Sequence, residues 1–143
     1  MSVHAGLFRE MYDEHSTYSA VEFLTALIKA APFPIREIQT DNGTEWTRAL
    51  ISDDGKPSLF EEALIKNNII YHRIKVATPR HNGKVERQHR IDEQRFYSKM
   101  KMYSLQDGRK QLERYNKLSN NIPKICFGFL TPNEALVKYL GAM

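Results

Sequence analysis

Apolar positions along the chain change period several times, and each change marks an element. Ala20, Val21, Phe23, Leu24, Leu27 and Ile28 recur at helical spacing, which predicts a helix with one buried face. Ser16 or Thr17 caps it, it runs to about Ala30, and Pro32 and Pro34 stop it. Ile35 to Gln39 reads as a short strand and Ile69 to Val76 as a second. Between them, Trp46 to Lys56 is a loop turning at Asp53-Asp54-Gly55. Ser58 and Glu61, at capping-box spacing, open a helix that reaches Lys66 before Asn67-Asn68 ends it. Gly83 to about Tyr103 contains no breaker and predicts a long helix. Ser104, with Asp107 as a first-turn acid, starts another that runs to about Leu118, weakened somewhat by Gly108. Asn120 to Phe129 is a loop. Thr131-Pro132-Asn133-Glu134 then combines a capping threonine, a first-position proline and a third-position glutamate ahead of a terminal helix over Ala135 to Leu140. Gly6 to Tyr12 is a poorly alternating candidate strand. Helix, strand, helix, strand in that order predicts an α/β layer structure with at least one parallel pair.

Composition narrows this only a little. With 143 residues, 41% hydrophobic and 27% charged, the chain has the make-up of one globular domain. A single cysteine, Cys126, excludes an internal disulfide framework and fits a reducing cytoplasm. No apolar run approaches a membrane span, and Met1 to Glu10 lacks a secretory pattern. The net charge of +4 is distributed unevenly. Arg73 to Lys117 holds thirteen Lys or Arg against five Asp or Glu, a net of +8, which leaves −4 for the rest. Such asymmetry suits a polyanion-binding face, and equally a solvated helix surface.

Two carboxylates stand where chemistry is plausible. Asp41 follows a predicted strand, the position at which open α/β sheets place ligands. Asn42-Gly43 allows a left-handed turn that would present its carboxylate outward. Glu86 falls in the first turn of the long helix, where the positive helix end favours an acid. Each has an ordinary explanation alone: a turn after a strand, and compensation of a helix dipole. Glu86 and Arg90 share a helix face and read as a salt bridge or as part of a phosphate-facing ridge. Phe96, Tyr97 and Tyr103 read as core residues, Trp46 as packing behind the Asp41 turn, and His72 as a packing or phosphate residue. His4, His15, His72, His81 and His89 lack the spacing of a zinc site.

Taken together, Gln39-Thr40-Asp41-Asn42-Gly43-Thr44-Glu45-Trp46 and Ala77-Thr78-Pro79-Arg80-His81-Asn82-Gly83-Lys84-Val85-Glu86-Arg87 resemble the catalytic core of retroviral-type integrases and of bacterial insertion-sequence transposases. The likeness runs from about Met11 to Leu140 and takes in Tyr12-Asp13-Glu14-His15-Ser16 and Leu130-Thr131-Pro132-Asn133-Glu134. Asp41 and Glu86 lie 45 positions apart, farther than is usual in that class. The surplus fits the loop near Ser52 to Lys56, where insertion is tolerated. The resemblance implies a ribonuclease-H-like integrase core over residues 1–143 that lacks its first strands and ends in a long helical part.

It also implies DNA integration or transposition by two-metal phosphoryl transfer, with Asp41 and Glu86 as catalytic ligands of Mg²⁺ or Mn²⁺. Arg80, Asn82, Lys84, Arg87 and Arg90 would face DNA. The expected partners are DNA and a second copy or a full-length transposase, with no membrane, in a bacterial cytoplasm and on the nucleoid when DNA-bound. The family's first aspartate has no match here. By the resemblance Tyr12 to Ser16 corresponds to the exit of a third strand, so Asp13 reads as an ordinary residue before a helix. Loss of that ligand implies impaired strand transfer. The alternatives are a non-catalytic DNA-binding or transposase-interacting regulator, and a complete enzyme that uses Asp13.

Overall fold

The computed structural model describes residues 8–48, 55–74 and 83–142. Its elements are α1 (Thr17–Ala30), β1 (Glu37–Thr40), α2 (Leu59–Lys66), β2 (Ile70–Arg73), α3 (Gly83–Arg95), α4 (Leu105–Asn120) and α5 (Pro132–Gly141), with single 3₁₀ turns at Tyr97–Lys99 and Ile125–Phe127. The chain divides into two compact units, residues 12–97 and residues 1–11 with 98–143. The architecture is mixed α/β, mostly helical, with a small parallel sheet.

In the 12–97 unit, β1 and β2 pair in parallel, with Glu37 opposite Ile70, Ile38 opposite Tyr71, Gln39 opposite His72 and Thr40 opposite Arg73. A parallel pair needs a crossover connection, and α2 lies within it. Side chains alternate across the sheet. Ile38 and Tyr71 are half-buried, while Glu37, Gln39, Ile70 and His72 are exposed. On the core side Ala20 and Leu24 of α1 meet Phe60 and Leu64 of α2 and Ile69, with Ile38, Trp46 and Tyr71 around them. Each large side chain buried there contributes roughly 1.5–3 kcal/mol relative to exposure.

Caps account for where the helices start. The Ser16 hydroxyl accepts from the Ser19 amide at 3.2 Å. Ser58 and Glu61 form a reciprocal capping box on α2, and Thr131 and Glu134 form another on α5 behind Pro132. In the second unit, Leu112, Tyr115 and Ala135 are buried, and Arg9 lies over the Tyr115 ring at 5.0 Å. Gly108 inside α4 has a packing reason, since a Cβ there would meet the Met11 and Met102 sulfurs at 2.6 Å.

Several expectations need correction. The unbroken helix from Gly83 to Tyr103 ends at Arg95. Lys101 and Met102 are drawn into contacts with α4: the Lys101 carbonyl accepts from Gln111 Nε2 at 2.9 Å, and Met102 packs over Gly108. Tertiary contacts override helix propensity there. The described part of the candidate strand at the N-terminus, residues 8–12, has no strand structure; its backbone serves α4 instead, the Arg9 carbonyl accepting from Asn116 and the Met11 carbonyl from Arg109. Tyr97 and Tyr103 are exposed, Tyr103 by 88%, and so are not core. His72 is exposed and faces Glu37 at 3.2 Å, an arrangement of little energetic consequence on an open surface.

Candidate functional site

Asp41 is the first residue past β1, exposed, at the C-terminal end of a strand in a parallel pair. Its turn is held from two directions. On the strand side, Asn42 Nδ2 donates to the Ile74 carbonyl at 2.7 Å, and the Ile74 amide donates to the Thr40 carbonyl at 3.0 Å. On the helix side, the Trp46 and Thr47 amides both close on the Gly43 carbonyl, at 3.0 and 3.1 Å. The Ser58 hydroxyl, while capping α2, also donates to the Trp46 carbonyl at 2.7 Å.

Glu61 completes the clamp. One carboxylate oxygen accepts from the Ser58 amide at 2.7 Å, and the other accepts from the buried Thr47 hydroxyl at 2.9 Å. Behind the turn the Trp46 ring sits edge-on to Phe60 at 5.0 Å, and Phe60 is edge-on to Tyr71 at 5.9 Å. Trp46 is thus the packing residue expected. The Tyr71 hydroxyl and the Thr40 hydroxyl lie 2.7 Å apart. Burial raises the Tyr71 pKa above its ordinary value, against the lowering effect of the Thr40 hydrogen bond.

The turn is not left-handed: neither Asn42 nor Gly43 has a positive φ. Asp41 Oδ1 instead accepts from the Gly43 amide at 3.1 Å, an Asx-type turn. A Cβ at Gly43 would meet the Glu45 carboxylate, the far end of a flexible side chain, at 2.5 Å. Glu45 itself is largely covered and lies 3.5 Å from His15. Its carboxylate closes over the turn, a role that its place in the motif does not announce.

Glu86 lies in the first turn of α3 and is exposed. Among the described residues no hydrogen bond or ion pair reaches its carboxylate, so of the two readings of the Glu86–Arg90 pair the salt bridge is not formed. One turn apart on an exposed helix, such a pair gains only a few tenths of a kcal/mol, too little to hold both side chains in one geometry. Arg87 and Arg90 are exposed, and Lys84 precedes them in α3. On the same helix Gln88 donates to the buried Asp92 at 2.7 Å. Arg80 and Asn82 lie outside the described residues, as does the rest of segment 75–82 that joins β2 to α3. Asp13 is exposed just before α1.

Chemically, Asp41 keeps one carboxylate oxygen without a hydrogen bond among the described residues, and Glu86 keeps both. Oxygen-only donors suit Mg²⁺, which also retains several waters. The donor type fits the metal that the resemblance implies. Among the described residues no group of three or more His, Cys, Asp or Glu converges as a ready-made site. No helix among them is long and apolar enough to cross a membrane. No family model matches the chain, and neither does any curated protein.

Proposed function

We propose that residues 12–97 are part of a ribonuclease-H-like integrase core, derived from a DNA strand-transfer enzyme, and that they bind DNA with Mg²⁺ held between Asp41 and Glu86. The observation that carries this reading is Asp41 itself. It stands just past the C-terminal end of a parallel strand, its turn fixed on both sides and one carboxylate oxygen unengaged. The order that follows, α2, β2 and then α3 with Glu86 in its first turn, is the order that the resemblance implies.

In this reading Asp41 and Glu86 bind the cation, and Lys84, Arg87 and Arg90 hold the phosphate backbone from α3. When bound, Mg²⁺ would neutralise charge on a phosphate and lower the pKa of an attacking hydroxyl. The α2 clamp keeps the Asp41 turn in place while that charge gathers. The activity proposed for these residues is metal-assisted DNA binding, and strand transfer is what the resemblance implies for the parent family.

Duplex affinity measured across salt concentrations tests this. Wild type should bind with a steep salt dependence, and Arg87→Ala with Arg90→Ala should flatten the slope by about 1 per lost phosphate contact. Salt-independent binding, or a slope untouched by both changes, contradicts the assignment of α3 to DNA.

A further inference from the structure

Residues 8–11 form a strap that packs with residues 98–143, although the chain passes directly from it into the other unit at Tyr12. The strap has no secondary structure of its own. Side chains of α4 hold it at separate points. Arg109 Nε donates to the Met11 carbonyl at 2.9 Å. Two helical turns further on, Asn116 Nδ2 donates to the Arg9 carbonyl at 3.0 Å, and Asn116 Oδ1 accepts in return from the Arg9 guanidinium at 2.9 Å. The same guanidinium lies over the Tyr115 ring at 5.0 Å. The Met11 sulfur stands 2.6 Å from where a Cβ on Gly108 would be, so Met11 occupies the notch that the glycine leaves.

These contacts are specific but shallow. Phe8, Arg9 and Met11 are half-buried and Glu10 is exposed. A cavity of about 330 Å³ is lined by Phe8, Arg9 and Glu10 of the strap and by Arg109, Leu112 and Asn116 of α4. A segment held by a few hydrogen bonds, with little apolar burial, opens at small free-energy cost. Once open, it leaves a groove that recognises one address. That address is an arginine whose carbonyl and guanidinium both meet an asparagine, with a methionine two residues later. Every copy of the chain carries it. A strap from a second copy makes the same contacts in trans, which is the condition for exchanging an identical segment between protomers.

We infer that the strap groove on α4 is an interface between copies of this chain, with residues 9–11 of one copy docking on Gly108, Arg109, Tyr115 and Asn116 of another. Reciprocal exchange closes a two-fold dimer and leaves no groove open for further growth. Competition with the copy's own strap, present at a fixed effective concentration, sets how much dimer forms. The interface uses neither Asp41 nor Glu86 and does not rest on the metal or integrase reading.

The test uses two variants of the full chain, each lacking one half of the contact. Arg9→Ala spoils the strap and keeps the groove, and Asn116→Ala spoils the groove and keeps the strap. Both changes fall on half-buried side chains, so both variants should keep wild-type helicity by circular dichroism. In sedimentation equilibrium each variant alone should be monomeric at concentrations where a one-to-one mixture forms a one-to-one complex. The mixture should associate at least about 10-fold more tightly than either variant alone. It should also exceed the wild type, in which each groove is already filled in cis. Met11→Gly in place of Arg9→Ala should give the same result through a different contact, which guards against a local defect in one variant. Failure of both mixtures to associate preferentially overturns the inference. So does equal dimerisation of the wild type and every variant, which would place the contact between copies on another surface. Asp41→Asn and Glu86→Gln leave this interface untouched, so failure here and failure of the integrase reading are separable.

Discussion

Phe60 is the residue through which the Asp41 turn is anchored to the core, and Phe60→Leu measures that anchoring. Its side chain is 2% exposed and contacts two rings edge-on, Trp46 at 5.0 Å and Tyr71 at 5.9 Å. Leucine keeps most of the apolar volume, so the lost packing costs about 1 kcal/mol. Each of the two edge-to-face pairs adds about 0.5–1.5 kcal/mol beyond burial, and the total is roughly 2–4 kcal/mol. That is a large share of the roughly 5–15 kcal/mol a domain possesses.

Trp46 is the only tryptophan and touches the altered ring, so its fluorescence reports the relevant unit directly. With a urea slope of about 1–2 kcal/mol/M, the unfolding midpoint should fall by about 1–4 M. The native emission should also shift to the red as the indole loosens. Phe60→Ala should cost more, about 3–5 kcal/mol. A leucine midpoint within about 0.3 M of wild type would refute the ring stack as the anchor. So would equal losses in the leucine and alanine variants, since the rings would then carry nothing beyond volume.

Two further changes test the site's frame. Asn42→Ala removes the bond to the Ile74 carbonyl at 2.7 Å and should cost about 1 kcal/mol in the same urea titration; no change would show that the turn is held from the α2 side alone. Tyr71 bears on alkaline stability. Burial raises its pKa in the folded state, so the folded chain keeps the phenolic proton to higher pH than the unfolded chain does. Stability from this group is full below the unfolded value near 10.0 and is lost as pH rises from there through the raised folded value. Tyr71→Phe should lose about 1 kcal/mol near pH 8 with the Thr40 hydrogen bond. It should then lose less than wild type between about pH 8 and about pH 10.5, and equal losses would contradict the sign.

Local chemistry was readable from the chain. Ser58 with Glu61, and Thr131 with Pro132 and Glu134, announced their helices because a cap is decided within four residues. Asp41 was placed at a strand end by the same local signals. The features that sequence reasoning missed are those that distant residues decide. The left-handed turn expected at Asn42-Gly43 is replaced by an Asx turn, because Asn42 reaches across to Ile74 and Glu45 occupies the space above Gly43. The end of α3 at Arg95 depends on what Lys101 and Met102 do with α4. Glu61 looked like a cap alone, yet its second oxygen holds Thr47 behind the candidate ligand. Phe129 lay in a stretch that read simply as loop, since no pattern of residue types announces a bulky side chain at positive φ.

The central claim is that Asp41 and Glu86 serve one cation, and calorimetric titration of Mg²⁺ or Mn²⁺ into the full chain addresses it without any need for activity. Wild type should show saturable binding that both Asp41→Asn and Glu86→Gln abolish or weaken by at least about 10-fold, since each removes a charged ligand from the same ion. Binding that survives in either variant, or none in the wild type, would contradict a shared site.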